Sequence, residues 1–84
     1  MIPREREKRL DIEPQLEEAF ARIFPLVREH RLLSYGDKDW DSLKHIELVS
    51  EVESVFGISL DLNELDCLNS FDSTLEFLIK RTNL

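Results

Sequence analysis

The residues that could do chemistry crowd into one stretch of the 84-residue chain, Asp37-Lys38-Asp39-Trp40-Asp41-Ser42-Leu43-Lys44-His45. Ser42 offers a hydroxyl, and His45, one helical turn further on, offers an imidazole that could serve as its base. A hydrolase needs more than this pair: a group to orient the imidazole, donors for an oxyanion, and a pocket. Nothing else in the sequence supplies them, so no catalytic residue is expected. Asp37, Asp39 and Asp41 match positions 1, 3 and 5 of an EF-hand calcium loop. The match then fails, because position 6, where a sharp turn demands glycine, is Ser42, and position 12, where a glutamate should close the cage, is Leu48. Strong calcium binding is not expected, and weak binding by the aspartates is the least favoured reading. Cys67, with no activating neighbour in the sequence, is expected to be a small buried apolar side chain.

The elements that must position these residues read as helices. Pro14 suits a first helical turn, and Leu16, Phe20, Ile23, Phe24 and Val27 follow at helical spacing as one apolar stripe. Pro25 predicts that this helix ends near Phe24, or kinks and runs on to about Arg28. Residues 1–12 form a charged segment, too charged to pack, that is either flexible or an extension of the first helix. Residues 29–41 read as a connecting loop, in which Asp39 and Asp41 can cap the next helix and Trp40 packs on the bundle with its indole N–H bonded locally. The second helix, about 42–56, has Leu48, Val52, Val55 and Phe56 as its core stripe and Glu47, Glu51 and Glu53 facing outward. Gly57 suits the left-handed residue that closes it, with Ile58 folding back. Asp61–Leu65 predicts a short helical turn. Ser70 or Ser73 can cap a last helix holding Phe71, Leu75, Leu78 and Ile79, with Ser73 and Glu76 fitting a capping box and Lys80 and Arg81 suiting the final turn. No segment alternates as a strand. The expected fold is all-α, a small antiparallel bundle of three long helices and one short one.

Composition narrows the function classes. The length suits one small domain with little room for a deep enzyme pocket. The single cysteine cannot form an internal disulfide, no Cys/His cluster has metal-ligand spacing, and no stretch reads as a secretory signal or a membrane span, so a reducing cytoplasm is the natural inference. Residues 1–34 carry seven basic and seven acidic side chains. Residues 35–84 carry four basic and eleven acidic ones, and with them the whole net charge of −7. Such a field repels nucleic acid and favours basic protein surfaces.

The run Trp40-Asp41-Ser42-Leu43, continued by Glu47-Leu48-Val49, Glu53 and Phe56-Gly57-Ile58, resembles the acyl carrier protein family, and the order of elements agrees over roughly residues 13–81. The resemblance implies a stand-alone carrier-protein domain over 13–84 that catalyses nothing itself. Ser42 would carry 4'-phosphopantetheine, taken from coenzyme A by a phosphopantetheinyl transferase, and an acyl or aminoacyl group would ride on its thiol as a thioester. Asp39, Trp40, Asp41 and Leu43 would frame that site. Leu43, Ile46, Glu47, Ser50, Glu51 and Glu53 would occupy partner-recognition positions facing an acyl- or aminoacyl-activating enzyme and transferring enzymes with basic docking surfaces. His45 would be a surface residue close to the phosphate. Two departures stand out. Many members have glycine two or three residues before the serine, where this chain has Asp39-Trp40, and Ser50 and Glu51 are more polar than the family's usual choices, which argues against a long fatty-acyl cargo. A monomer without membrane insertion is the expectation. The competing reading is an unmodified acidic interaction module of the same shape.

Overall fold

Ile12, Leu16, Ala19 and Phe20 recur at the spacing that puts them on one side of a helix, and all four are buried. They belong to α1, Arg4–Ile23. The fold is that of a computed structural model, described for residues 4–82 and with side chains from residue 7; the part of the charged segment before residue 4 lies outside the described residues. Pro14 is inside α1 rather than in its first turn. Its ring removes one backbone bond, but Ile12 and Leu16 are anchored on either side of it. The charged stretch is also fastened down: Lys8 Nζ donates to the Thr82 carbonyl at 2.6 Å, and Arg9 pairs with Glu76.

The helix stops at Ile23. The Phe24 N–H still reaches the Phe20 carbonyl at 2.7 Å, but a residue preceding proline is driven out of helical geometry. A turn closed by Val27 N–H to the Phe24 carbonyl, 3.2 Å, follows, so the alternative of a kinked helix running to Arg28 is not the one that forms. The connecting segment then makes a short 3-10 turn, His30–Leu32. Arg31 in that turn sets its guanidinium 4.4 Å from the centre of the Phe71 ring and pairs with Glu13, with Glu17 at 3.3 Å and with Asp72 at 3.4 Å. One side chain thus bridges three elements, though each exposed pair by itself adds little.

The second helix, α2, spans Ser42–Phe56 and buries Leu48 and Val52. Val49 and Phe56 pack against the core beside them, while Val55, expected in the core stripe, is only partly buried. Gly57 closes α2 at φ 64° and ψ 38°, and its N–H donates to the Glu53 carbonyl. Ile58 folds back with its N–H on the same carbonyl at 3.2 Å. The short α3, Leu62–Leu65, is held at its start by the Asp61 N–H donating to the Glu64 carboxylate at 2.9 Å.

The last helix, α4, spans Phe71–Arg81 and buries Phe71, Thr74, Leu75, Leu78 and Ile79. Ser70 is its cap, exchanging bonds with Ser73 (each backbone N–H on the other's hydroxyl, 3.1 Å). The expected Ser73–Glu76 box does not form, because the helix is capped three residues earlier and Ser73 lies inside it, while Glu76 pairs with Arg9 of α1. An isolated bridge, Ser34 to Ser70, ties the connecting loop to the head of α4, with the Tyr35 N–H on the Asn69 carbonyl at 2.8 Å.

The architecture is a small all-α bundle with no strand among the described residues. Helix α1 lies against both α2 and α4. At the centre, Phe20 meets Phe71 at 5.0 Å and Trp40 edge-on at 5.7 Å, and Phe24 meets Trp40 at 5.3 Å between ring centres. None of the described helices is long and apolar enough to cross a membrane. Nothing lies within 4 Å of where a Cβ on Gly57 would sit, so Gly57→Ala is expected to cost about 1 kcal/mol through left-handed backbone strain alone. A urea titration checks this, and an unchanged midpoint would show that the turn relaxes freely.

Candidate functional site at the head of α2

Ser42 is the first residue of α2 and is exposed. Asp41 precedes it in extended geometry, and its Oδ1 accepts the Lys44 N–H at 2.9 Å while its carbonyl accepts the His45 N–H at 3.0 Å. The N–H groups of Ser42 and Leu43 are left with no acceptor inside the helix, at the end where its dipole is positive. An anionic group attached to the Ser42 hydroxyl would meet both features. Asp39 does not share the capping. It is exposed and lines a shallow cleft of about 170 Å³ with Lys44 and residues 23–27.

The loop before Ser42 is knitted by short-range bonds. Asp37 donates its N–H to the Ser34 carbonyl and receives the Ser34 N–H on Oδ2, and Trp40 donates to the Asp37 carbonyl while its own carbonyl takes the Gly36 N–H. Gly36 sits at φ 99°, a conformation open chiefly to glycine. The carboxylates of Asp37 and Asp41 are thus both engaged with backbone N–H groups. Among the described residues no group of three His, Cys, Asp or Glu side chains is arranged to hold a metal ion.

Trp40 is fully buried, and its indole N–H donates to Nδ1 of His45 at 3.2 Å. On the far side of the imidazole, Nε2 faces the Leu65 carbonyl at 3.1 Å. An indole nitrogen only donates and a carbonyl only accepts, so these partners select the neutral imidazole with its proton on Nε2. His45 is therefore not the free surface residue expected beside Ser42. It is half-buried, with its two ring nitrogens turned toward Trp40 and α3. Neither nitrogen is available as a base for the serine.

The six positions anticipated to meet partners divide into two groups. Leu43, Ile46, Glu47 and Ser50 are exposed on one side of α2, with Leu43 and Ile46 each 64 % accessible. Glu47 makes only a solvent-side pair with Lys44 at 3.3 Å. Glu51 instead pairs with Arg22 of α1 at 2.6 Å, and Glu53 accepts the Leu60 N–H at 2.8 Å. The signal for the second contact was present in the sequence: a left-handed Gly57 turns the chain back alongside the last turns of α2. Cys67 is exposed, not buried. Leu68 takes the inward position in the connection between α3 and α4. The pattern also gave no sign of a cleft of about 410 Å³ between α2 and α3, lined by Tyr35, His45, Leu62, Leu65, Asp66 and Asn69.

Fold and site together define a small all-α domain with an exposed serine opening a capped helix. No protein-family model, no curated protein and no solved structure matches the chain.

The division of the glutamates has a measurable consequence. Glu53→Ala leaves the Leu60 N–H without its acceptor and is expected to lower stability by about 1 kcal/mol, whereas Glu47→Ala should stay within about 0.5 kcal/mol of the parent. Equal effects in thermal or urea unfolding would contradict the assignment of Glu53 as the acceptor that holds Leu60.

Proposed function

We propose that this chain is an acyl- or aminoacyl-carrying protein whose Ser42 accepts 4'-phosphopantetheine. The observation that carries the reading is Ser42 itself: an exposed hydroxyl on the first residue of a capped helix, beside two backbone N–H groups with no intrahelical partner. The residues fit the group. In the attachment, the Ser42 oxygen bonds to the phosphorus bearing the pantetheine arm, the phosphoanhydride of coenzyme A breaks, and adenosine 3',5'-bisphosphate leaves. The head of α2 would hold the resulting phosphodiester through the Ser42 and Leu43 N–H groups, with the helix dipole favouring its negative charge. The group supplies a thiol on a long arm, which holds cargo as a thioester.

The chain's own part is to present that arm. Leu43 and Ile46 give an apolar strip next to Ser42, and Glu47 and Ser50 give it a polar border. Such a strip suits partners that combine an apolar contact with basic side chains: the phosphopantetheinyl transferase, an activating enzyme that loads the arm, and a transferring enzyme that unloads it. A small all-α fold with a capped serine at the head of its second long helix also supports the carrier-like architecture that the sequence resembles. The proposed working location is the cytoplasm, where coenzyme A is at hand and the thiol stays reduced.

Incubation with coenzyme A, magnesium and a promiscuous phosphopantetheinyl transferase is expected to add one phosphopantetheine to the intact mass, and Ser42→Ala to abolish the gain while leaving the helical circular dichroism unchanged. No gain in the parent beside a control carrier that is modified, or a gain that persists in Ser42→Ala, would overturn the assignment. In the first case the unmodified interaction module becomes the better reading.

A further inference from the structure

We infer that Trp40, His45 and the Leu65 carbonyl form a proton-sensitive latch that ties the head of α2 to α3. The indole N–H has no route to water, since Trp40 is fully buried, and His45 Nδ1 at 3.2 Å is its acceptor. The same imidazole bridges to the last residue of α3 through Nε2 and the Leu65 carbonyl, 3.1 Å. Only the neutral ring protonated on Nε2 satisfies both ends. Adding a proton places it on Nδ1, facing the indole N–H donor to donor. The charged ring must then leave this position, and Trp40 loses its acceptor.

The structure also provides somewhere for the ring to go. His45 lines the cleft of about 410 Å³ between α2 and α3, and Asp66 and Asn69 line the same cleft with oxygens that could accept from an imidazolium. Tyr35 stacks edge-on against His45 at 4.8 Å between ring centres and forms the cleft's other wall. The titratable groups that share the cleft with the imidazole are thus Tyr35 and Asp66, with Asp37 in the preceding loop and Asp41 and Lys44 at the head of its own helix. The carboxylates of Asp37 and Asp41 are already bonded to backbone N–H groups, which leaves Asp66 as the natural partner of the charged ring. Two arrangements follow: a latched one with neutral His45 between Trp40 and Leu65, and an unlatched one with charged His45 in the cleft. Unlatching frees the Leu65 carbonyl from α2 and removes the side-chain bond that steadies Trp40, two residues before Ser42. The inference does not depend on Ser42 being modified.

Trp40 is the only tryptophan, and His30 is the only other histidine, so the device can be read optically. Tryptophan emission is followed from about pH 8 to about pH 5, the interval in which histidines titrate, in the parent chain, His30→Gln and His45→Gln. In the His45→Gln variant the new side chain can accept the indole N–H through its carbonyl and donate to Leu65 through its amide, without titrating. The expected result is a shift of Trp40 emission on acidification in the parent and His30→Gln that is lost in His45→Gln. No shift in the parent, or one that persists in His45→Gln, overturns the inference. Should His45→Gln fail to fold, long-range proton–nitrogen spectra of the parent decide. A neutral His45 with its proton on Nε2 at about pH 8, and a Trp40 indole signal that moves in step with His45 on acidification, support the latch. The opposite tautomer, or independent titrations, refutes it.

Discussion

The structure depends on burying one indole. Trp40 comes from the connecting loop, yet it is the largest fully buried side chain, and it meets Phe20 and Phe24 of α1. A buried indole N–H without an acceptor is expensive, and this one is answered from α2 by His45. That requirement fixes the inward-facing side of the first turn of α2 at residue 45. Ser42, as the first residue of the helix, has no preceding turn to cover it and stays exposed, while the same imidazole carries the tie from Trp40 on to α3. Asp41 supplies the remaining local order by capping the helix next to the serine.

Much of this was legible in the sequence because it rests on period and on capping chemistry. The span of α2, the left-handed Gly57, the short α3 and the apolar face of α4 all follow from local patterns, as does a buried, locally bonded Trp40. What escaped depends on contacts between residues far apart in the chain. Pro14 reads locally as a first-turn proline, and it lies inside α1 because flanking apolar residues and the bonds from Lys8 and Arg9 to α4 hold the helix through it. Glu76 reads as half of a capping box with Ser73, but Ser70 caps the helix, and Glu76 is paired with Arg9, 67 residues away. Cys67 reads as a small apolar residue, but Leu68 beside it fills the interior. His45 reads as a surface group, since only the position of Trp40 and Leu65 reveals its role.

Charge shows the same contrast between local and global order. All of the net −7 lies in residues 35–84, which suggests a continuous acidic surface. In the fold, basic residues from the electrically balanced first part reach across to it: Arg9 to Glu76, Arg22 to Glu51 and Arg31 to Asp72. These pairs draw acidic groups on α4 and the middle of α2 into internal contacts. Asp39, Asp41 and Glu47 remain exposed around the head of α2, next to Leu43 and Ile46. Of the three glutamates anticipated to meet partners, Glu47 alone makes no contact beyond its own helix among the described residues, pairing only with Lys44 on the solvent side. For the proposed carrier, the surface left for docking is consequently smaller than the sequence suggests, and it borders Ser42.

The most direct test of the central claim is peptide-mapping mass spectrometry of the protein isolated from the cells that make it. The account predicts that the peptide containing Ser42 carries one phosphopantetheine, attached at that hydroxyl, in at least part of the population. A Ser42 peptide found only unmodified, in cells whose other carrier proteins bear the group, would contradict it.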